Sequence, residues 1–307
     1  MLEPDALRSF AVFAEHGNFT TAAAALNITQ PSLHVKINKL AAALGITLYE
    51  RRGRGLVLTA PGERLAAFAL DTRRRCDDFL AVLNEGTSTV TIAAGRGTFR
   101  WVIPGPIRAI SQQGRKVQVI TASRDAAVSA LGAGRADLAV VAYDPPPRRF
   151  QVAQVAVYPQ VLVVSSGHPL AARDHLSLPD LAGLDLIVPP PGRAHRRALE
   201  RALLDADVPW QPAAEADGWD LLVHFASLGI GATVVNGCVT PPAGLTAIPV
   251  TGLPAVRYWA AWRPERRANI SDVLSRLVRH DQRPHRHQPV SVLCAASQPR
   301  LYRGSAG

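Results

Sequence analysis

At 307 residues the chain is long enough for two or three domains, each with its own core, and 48% hydrophobic content is that of a globular rather than a disordered protein. Three cysteines, Cys76, Cys238 and Cys294, stand far apart without a CxxC spacing, which excludes a disulfide framework or a cysteine zinc site and fits a reducing compartment. The net charge is +10, but +7 of it lies in residues 257–307, so the high isoelectric point does not by itself indicate a nucleic-acid partner.

The first residues carry Glu3 and Asp5, with no basic segment leading into an apolar run, and are not read as a secretory signal. Every long apolar stretch is interrupted by Pro, Gln, His or Gly, so none spans a bilayer. A cytoplasmic protein without membrane contact is expected. Leu7, Phe10, Val12 and Phe13 then give one apolar face of a helix over residues 5–16, ending at Gly17. A second, short helix over 21–26 is almost all Ala, with Thr20 placed to cap it, and Asn27-Ile28-Thr29 breaks it. The third starts at Gln30-Pro31-Ser32, where a proline leaves no partner unsatisfied. Its apolar residues Leu33, Ile37, Leu40 and Leu44 fall on one face, and Gly45 suits a left-handed cap. The small side chains at 22–25 allow two short helices to cross steeply. That is a helix-turn-helix with its second helix bound for a DNA major groove; the alternative is an ordinary helix corner in a core. Two of the three lysines, Lys36 and Lys39, lie on this helix. Strand-like runs at 46–51 and 56–59 flank the turn Arg52-Gly53-Arg54-Gly55, a wing whose arginines reach phosphates or a minor groove.

Residues 5–62 resemble the winged helix-turn-helix of LysR-type transcriptional regulators. The match runs through Leu7-Arg8-Ser9-Phe10, Ala22-Ala23, Thr29-Gln30-Pro31-Ser32, Leu40, Leu44-Gly45, Leu48-Tyr49-Glu50-Arg51, Leu58-Thr59 and Gly62. The resemblance implies double-stranded DNA as partner, with Thr29, Gln30, Pro31, Ser32, His34, Val35, Lys36, Lys39, Arg51 and Arg54 at the interface. Where the family often has Ser then Arg, this chain has His34 then Val35. Base contacts are therefore expected from Gln30, bidentate to adenine, and from His34. Val35 is left with apolar contact, such as a thymine methyl. Lys36, Arg51 and Arg54 are expected to meet phosphates, giving salt-dependent affinity without sequence choice.

Leu65, Phe68, Thr72, Cys76, Phe79 and Leu83 recur at helical spacing and predict an amphipathic helix of six or seven turns from Pro61. One apolar stripe needs a partner, either the chain's own next domain or a second copy; the resemblance implies the linker helix that pairs two subunits. Residues 88–280 alternate strand and helix patterns. Strands at 90–94, 117–121 and 137–141 with helices from Thr98 and Ser123 give a βαβαβ order and hence a parallel sheet. Pro145-Pro146-Pro147 breaks the chain. A second series follows: strands at 160–164, 184–188, 232–235 and 256–262, and helices at 193–205, 219–228 and 270–280. Gly134-Arg135-Ala136-Asp137-Leu138-Ala139-Val140, His168-Pro169-Leu170-Ala171 and Leu228-Gly229-Ile230-Gly231 extend the resemblance to about residue 280.

The expected fold is thus α/β: an N-terminal winged helix-turn-helix (1–62), a long linker helix (63–87), and two Rossmann-like subdomains of periplasmic-binding-protein type (88–280) with a cleft for a small molecule. Residues 281–307 mix Pro, Arg, Ser and small residues without a period and are expected to be a disordered tail. His280, His285 and His287 there read as solvated, not as a metal site.

An enzyme finds little support. Gly95-Arg96-Gly97 opens like a dinucleotide fingerprint, but position 100 is Arg and no acidic residue ends the strand that closes at Thr121. GxSxG, HExxH and P-loop motifs are absent from the sequence. The alternative, a nucleotide-dependent metabolic enzyme built on the α/β region, is set aside; no catalytic residue, metal or cofactor is assigned. Thr98 and Ser123 each precede a helix that follows a strand, a place that suits a carboxylate or phosphate but that plain N-capping explains equally. Matching family positions often touch effectors. Pro190-Pro191-Gly192-Arg193 would form an opposite wall, with Arg193 available to an anion. The reading is an effector-responsive DNA-binding regulator acting as a homodimer or homotetramer, its effector a small molecule carrying an anionic group.

Overall fold

A computed structural model of the chain describes residues 3–52, 55–83 and 89–280. Helix α1 (Pro4–His16) begins on a proline at its first turn and stops at Gly17, whose φ of 62° lets its N–H reach Phe13 O at 2.8 Å. Helix α2 (Phe19–Ala25) starts earlier than the Ala run suggests. Its cap is Asn18 rather than Thr20: Asn18 Oδ1 accepts from Thr20 N at 2.7 Å and Thr21 N at 3.3 Å. Asn outranks Thr as a cap, and the shift brings Phe19 into the helix and into the core. Helix α3 (Gln30–Leu44) is capped by Thr29, which accepts from Ser32 N at 3.3 Å, and closes at Gly45 with φ 65°.

The three helices share one cluster built on Phe10, Phe13, Phe19, Leu33, Ile37, Leu40 and Leu48, all buried. At about 1.5–3 kcal/mol for each large side chain removed from water, this core fixes α3 with its opposite edge in solvent. Strands β1 (Tyr49–Arg52) and β2 (Gly55–Leu58) pair antiparallel with Tyr49 opposite Leu58. They are shorter than the sequence pattern, because residues 46–48 pack as an irregular segment. Helix α4 (Ala60–Leu83) is entered through Thr59, whose hydroxyl donates to Thr47 O at 2.5 Å and accepts from Gly62 N at 3.0 Å. A side chain at 62 is impossible, since a Cβ there would lie 1.9 Å from Leu48 O. Ala69 and Leu70 of α4 pack with Leu7 and Ala11, Ala66 joins the cluster around Phe10, and Arg73 forks onto Glu15 at 2.6 and 3.0 Å.

The rest of the chain runs β3 (Val90–Ala94), α5 (Pro104–Ser111), β4 (Val117–Thr121), α6 (Arg124–Gly132), β5 (Leu138–Ala142), β6 (Gln151–Tyr158), β7 (Gln160–Ser165), β8 (Asp185–Val188), α7 (Ala194–Asp205), β9 (Gln211–Glu215), α8 (Trp219–Ser227), β10 (Thr233–Asn236), β11 (Leu245–Pro249), β12 (Val256–Trp262) and α9 (Ser271–His280). One sheet has the order β4-β3-β5-β12-β6. Strand starts meet strand starts, Val90 N to Lys116 O and Asp137 N to Thr91 O at 2.9 Å each, so β4, β3 and β5 run the same way, as the βαβαβ pattern requires. The second series is mixed rather than parallel: β7 pairs antiparallel with both β10 and β11, and β8 with β9 is parallel. Three strands, β6, β9 and β11, escape the sequence pattern. The segments QPAAE and LTAIP of β9 and β11 carry proline and few β-branched residues, and the sheet edge tolerates them.

By its contacts the chain forms two compact units. The first takes in residues up to Ala93, 110–139 and 262–272; the second takes in 94–109, 140–261 and α9 from Val273. In the first, Arg266 and Asp137, each 2% exposed, meet at 2.9 Å, and Asp137 also accepts from Thr91 N at 2.8 Å. In the second, Leu162, Leu186, Val188, Leu199, Leu203 and Ile248 form the core. The expected tail at 281–307 lies outside the described residues. No helix among the described residues is long and apolar enough to cross a membrane.

Candidate nucleic-acid interface and effector site

Burying Leu33, Ile37 and Leu40 leaves Gln30, Pro31, Ser32, Val35, Asn38, Lys39 and Ala42 of α3 exposed, and Val35 retains 52% of its surface. This is the edge that a groove would receive. Around it the structure sorts the expected contacts. Gln30 is held from α2, where Thr20 Oγ1 donates to Gln30 Oε1 at 3.1 Å, a bond that does not use the two donors of its amide N–H₂. Thr29 and Ser32 are tied to each other, Oγ to Oγ at 2.8 Å, as the helix cap.

His34 departs from the expectation of a base-reading side chain. Its ring stacks on Phe19 with centroids 3.7 Å apart and planes 14° apart, and lies 6.4 Å from Tyr49. Phe19 in turn sits 4.3 Å from Phe13 and 5.4 Å from Tyr49. The imidazole is thus part of an aromatic cluster that fixes α2 against α3 and the wing; burial also raises the Tyr49 phenol. Lys36 departs too, for its Nζ donates to Asp5 Oδ2 of α1 at 2.5 Å, so a phosphate must compete with a carboxylate. Lys39 is exposed, and Arg51 is exposed on β1 opposite Leu56. Arg54 lies outside the described residues. Asn38, exposed beside Lys39, is a donor-and-acceptor amide on the same edge that is absent from the expected contacts.

The effector candidates fall in both units. Ser123, in the first, caps α6 by accepting from Ala126 N at 3.4 Å. Thr98, in the second, is buried and begins a π-helical turn (Thr98–Val102), a form of helix that is often found at functional sites. Within that second unit the turn meets the start of α8. A Cβ on Gly97 would lie 3.0 Å from the Trp219 ring, and Trp101 lies 6.1 Å from Trp219 at 38°. Arg96 reaches Asp220 at 3.4 Å, and the Arg100 guanidinium lies 5.2 Å from the Trp101 ring. Arg193 precedes α7 and donates to Asp217, so its charge is already matched and an incoming anion must displace that carboxylate. Sequence reasoning missed both tryptophans and both aspartates, since nothing local marks a pair of indoles more than a hundred residues apart.

Two other buried groups belong to the scaffold. His195 hydrogen-bonds Val234 O at 2.8 Å and burial holds its pKa below the usual value, while the buried Cys238 thiol is pushed up to about 12 by desolvation and is no nucleophile. Among the described residues no group of three or more His, Cys, Asp or Glu side chains is placed to hold a metal ion.

Comparison with known proteins accounts for both halves of the chain. Residues 4–63 match the family model described as a bacterial regulatory helix-turn-helix protein of the lysR family, and residues 84–282 match the LysR substrate binding domain. The regulator GbpR of Rhizobium radiobacter is 30% identical over 208 residues, covering 64% of this chain and 69% of that protein. BbuR of Bordetella bronchiseptica is 29% identical over 244 residues, covering 76% and 74%. Among solved structures, a full-length OxyR variant from Pseudomonas aeruginosa superposes with a TM-score of 0.71 at 18% identity, covering 90% of this chain and 95% of that one. Full-length CbnR bound to its target DNA gives 0.61 at 19%, covering 91% and 99%. Both curated relatives are named as transcriptional regulators, and the enzyme alternative gains nothing from them.

Proposed function

Because this chain belongs to the LysR family of DNA-binding transcriptional regulators, with an effector-binding domain following its helix-turn-helix, we propose how its own residues divide that work. The carrying observation is the solvent edge of α3, held by three buried aliphatic residues on its other side. Gln30, Pro31, Ser32 and Val35 read bases in this proposal. Thr29 sets the helix start, and Lys39, Arg51 and Arg54 meet phosphates. Lys36 joins them only by leaving Asp5, and His34 acts through packing. The parts are a DNA-binding module at 1–62, a linker helix at 63–87 and an effector domain at 88–280, working in the cytoplasm as a homodimer or homotetramer through the exposed face of α4.

The test is selection from a random DNA pool by the full chain. Gln30→Ala should relax the motif at one position. Arg51→Ala should weaken binding to every sequence and flatten the salt slope by about one unit. His34→Ala should keep the motif and lower thermal stability. If His34→Ala changes the motif while Gln30→Ala does not, the roles are reversed.

For the effector, we infer a small organic anion. Thr98 supplies a hydroxyl, the Trp101 and Trp219 indoles supply flat apolar surface, and Arg193 pairs with the anion in place of Asp217. Ser123 is a further candidate in the other unit. Conformational response then biases how the subunits hold DNA. Thr98→Val is nearly isosteric and should leave the melting temperature close to that of the parent. It should remove at least half of the thermal shift produced by whichever member of a panel of organic carboxylates stabilises the parent. An undiminished shift would remove Thr98 from the site.

A further inference from the structure

We propose that Asp71 and Arg263 form a releasable latch between the linker helix and the effector-binding domain. Asp71 lies in the middle of α4, and Arg263 directly follows β12, at the head of the segment 262–272. That segment shares a compact unit with α4, whereas the chain on either side of it belongs to the other unit. Arg263 Nη2 donates to Asp71 Oδ1 at 2.7 Å, with the two side chains only 11% and 12% exposed.

The pair is not built as a structural staple. Arg263 Nε is buried without an acceptor, so the guanidinium is incompletely satisfied while losing most of its water. A second carboxylate, Glu265, stands 3.9 Å from Arg263 Nη1 and is half exposed. The cation therefore has two destinations: inward on Asp71, or outward on Glu265 where hydration makes up for what is lost. Such a choice is a two-state element with both states named.

An independent contact shows that the helix is meant to sit here. Gly134, at φ 73°, turns against α4 so closely that a Cβ would lie 3.2 Å from Ala67 O, 3.5 Å from Leu70 Cβ and 3.7 Å from the Arg263 guanidinium. Three residues on, Asp137 holds a second arginine of the same segment, Arg266, at 2.9 Å. A displacement of segment 262–272 thus reaches α4 through Arg263, and reaches the sheet through Arg266. The regulatory meaning rests on the reading that α4 sets the arrangement of subunits on DNA; the latch itself does not.

The experiment compares full-length parent, Asp71→Asn, Arg263→Gln, Glu265→Gln and the charge swap D71R/R263D. Amide exchange of Gly134 and Arg135, which donate to Leu131 O and Ala130 O, reads the latch without DNA. Both single latch variants should speed that exchange about tenfold and shift affinity for parent-selected DNA about fivefold in a common direction, and the swap should restore each at least halfway. Glu265→Gln, which removes the outer acceptor, should slow the exchange at least twofold, and it decides the matter if the single variants do not fold. Exchange within twofold of the parent in all variants, or a swap no better than the singles, overturns the latch. Altered exchange with unaltered DNA affinity keeps the contact but overturns its regulatory role.

Discussion

Asp137→Ala should destabilise the first compact unit by about 3–5 kcal/mol, because it takes a carboxylate away from a buried cation rather than merely deleting a surface contact. Arg266 is 2% exposed and meets Asp137 at 2.9 Å, and the other carboxylate oxygen accepts the Thr91 N–H at 2.8 Å. Alanine removes the counter-charge and the acceptor for β3 together. Asp137→Asn keeps an acceptor for Thr91 without the charge, so it should fall between parent and alanine. The pair D137L/R266M removes both charges in shapes of similar volume, and should recover most of the loss, since uncharged packing avoids the desolvation penalty. Amide exchange of Thr91 across a denaturant series is the appropriate measurement, because a chain of two units need not unfold in one step. Equal protection of Thr91 in parent and Asp137→Ala would show that the buried pair carries no stability.

What the sequence made legible is what short-range physics decides. The ends of α3 follow from a threonine with a proline two residues on and from a glycine free to take a positive φ, and the structure has both. The two-residue shift at the start of α2 arises because Asn18 and Thr20 are competing caps, and only the burial of Phe19 among Phe13, Tyr49 and His34 decides between them. That burial is a long-range fact. The same limit governs the candidate sites. Spacing along α3 placed His34 and Lys36 beside the DNA-facing edge, but their partners, Phe19 and Asp5, come from other helices and turn both side chains toward the protein. In the C-terminal region the strong β-branched runs were readable, whereas β9 and β11 hold their places through neighbours rather than through their own residues.

Aspartate at both Phe68 and Phe79 should separate the subunits and abolish tight DNA binding. Helix α4 has three working faces. Ala66, Ala69 and Leu70 lie against α1, while Ala67 and Asp71 face Gly134 and Arg263. Phe68 and Phe79, eleven residues apart and so about three turns, share the remaining face, with 53% and 63% of their surfaces exposed and Leu80 at 52% beside Phe79. The sequence stripe also included Leu83, whose side chain lies outside the described residues, so Phe68 is the better second position. Two phenyl rings in water on one helix face call for an apolar partner, and a second copy presenting the same face is self-complementary about a two-fold axis. A carboxylate at each position would bury charge in that seam. A regulator holding two half-sites gains about 10²–10⁴ in affinity from the linkage between its subunits. The double variant should therefore lose about a hundredfold or more on two-half-site DNA while binding a single half-site much as the parent does. Light scattering should show the mass falling toward the 32.8 kDa of one chain. A variant that keeps the parent mass would place the subunit contact elsewhere, and one that keeps the parent affinity after dissociating would mean that a single module suffices for DNA binding.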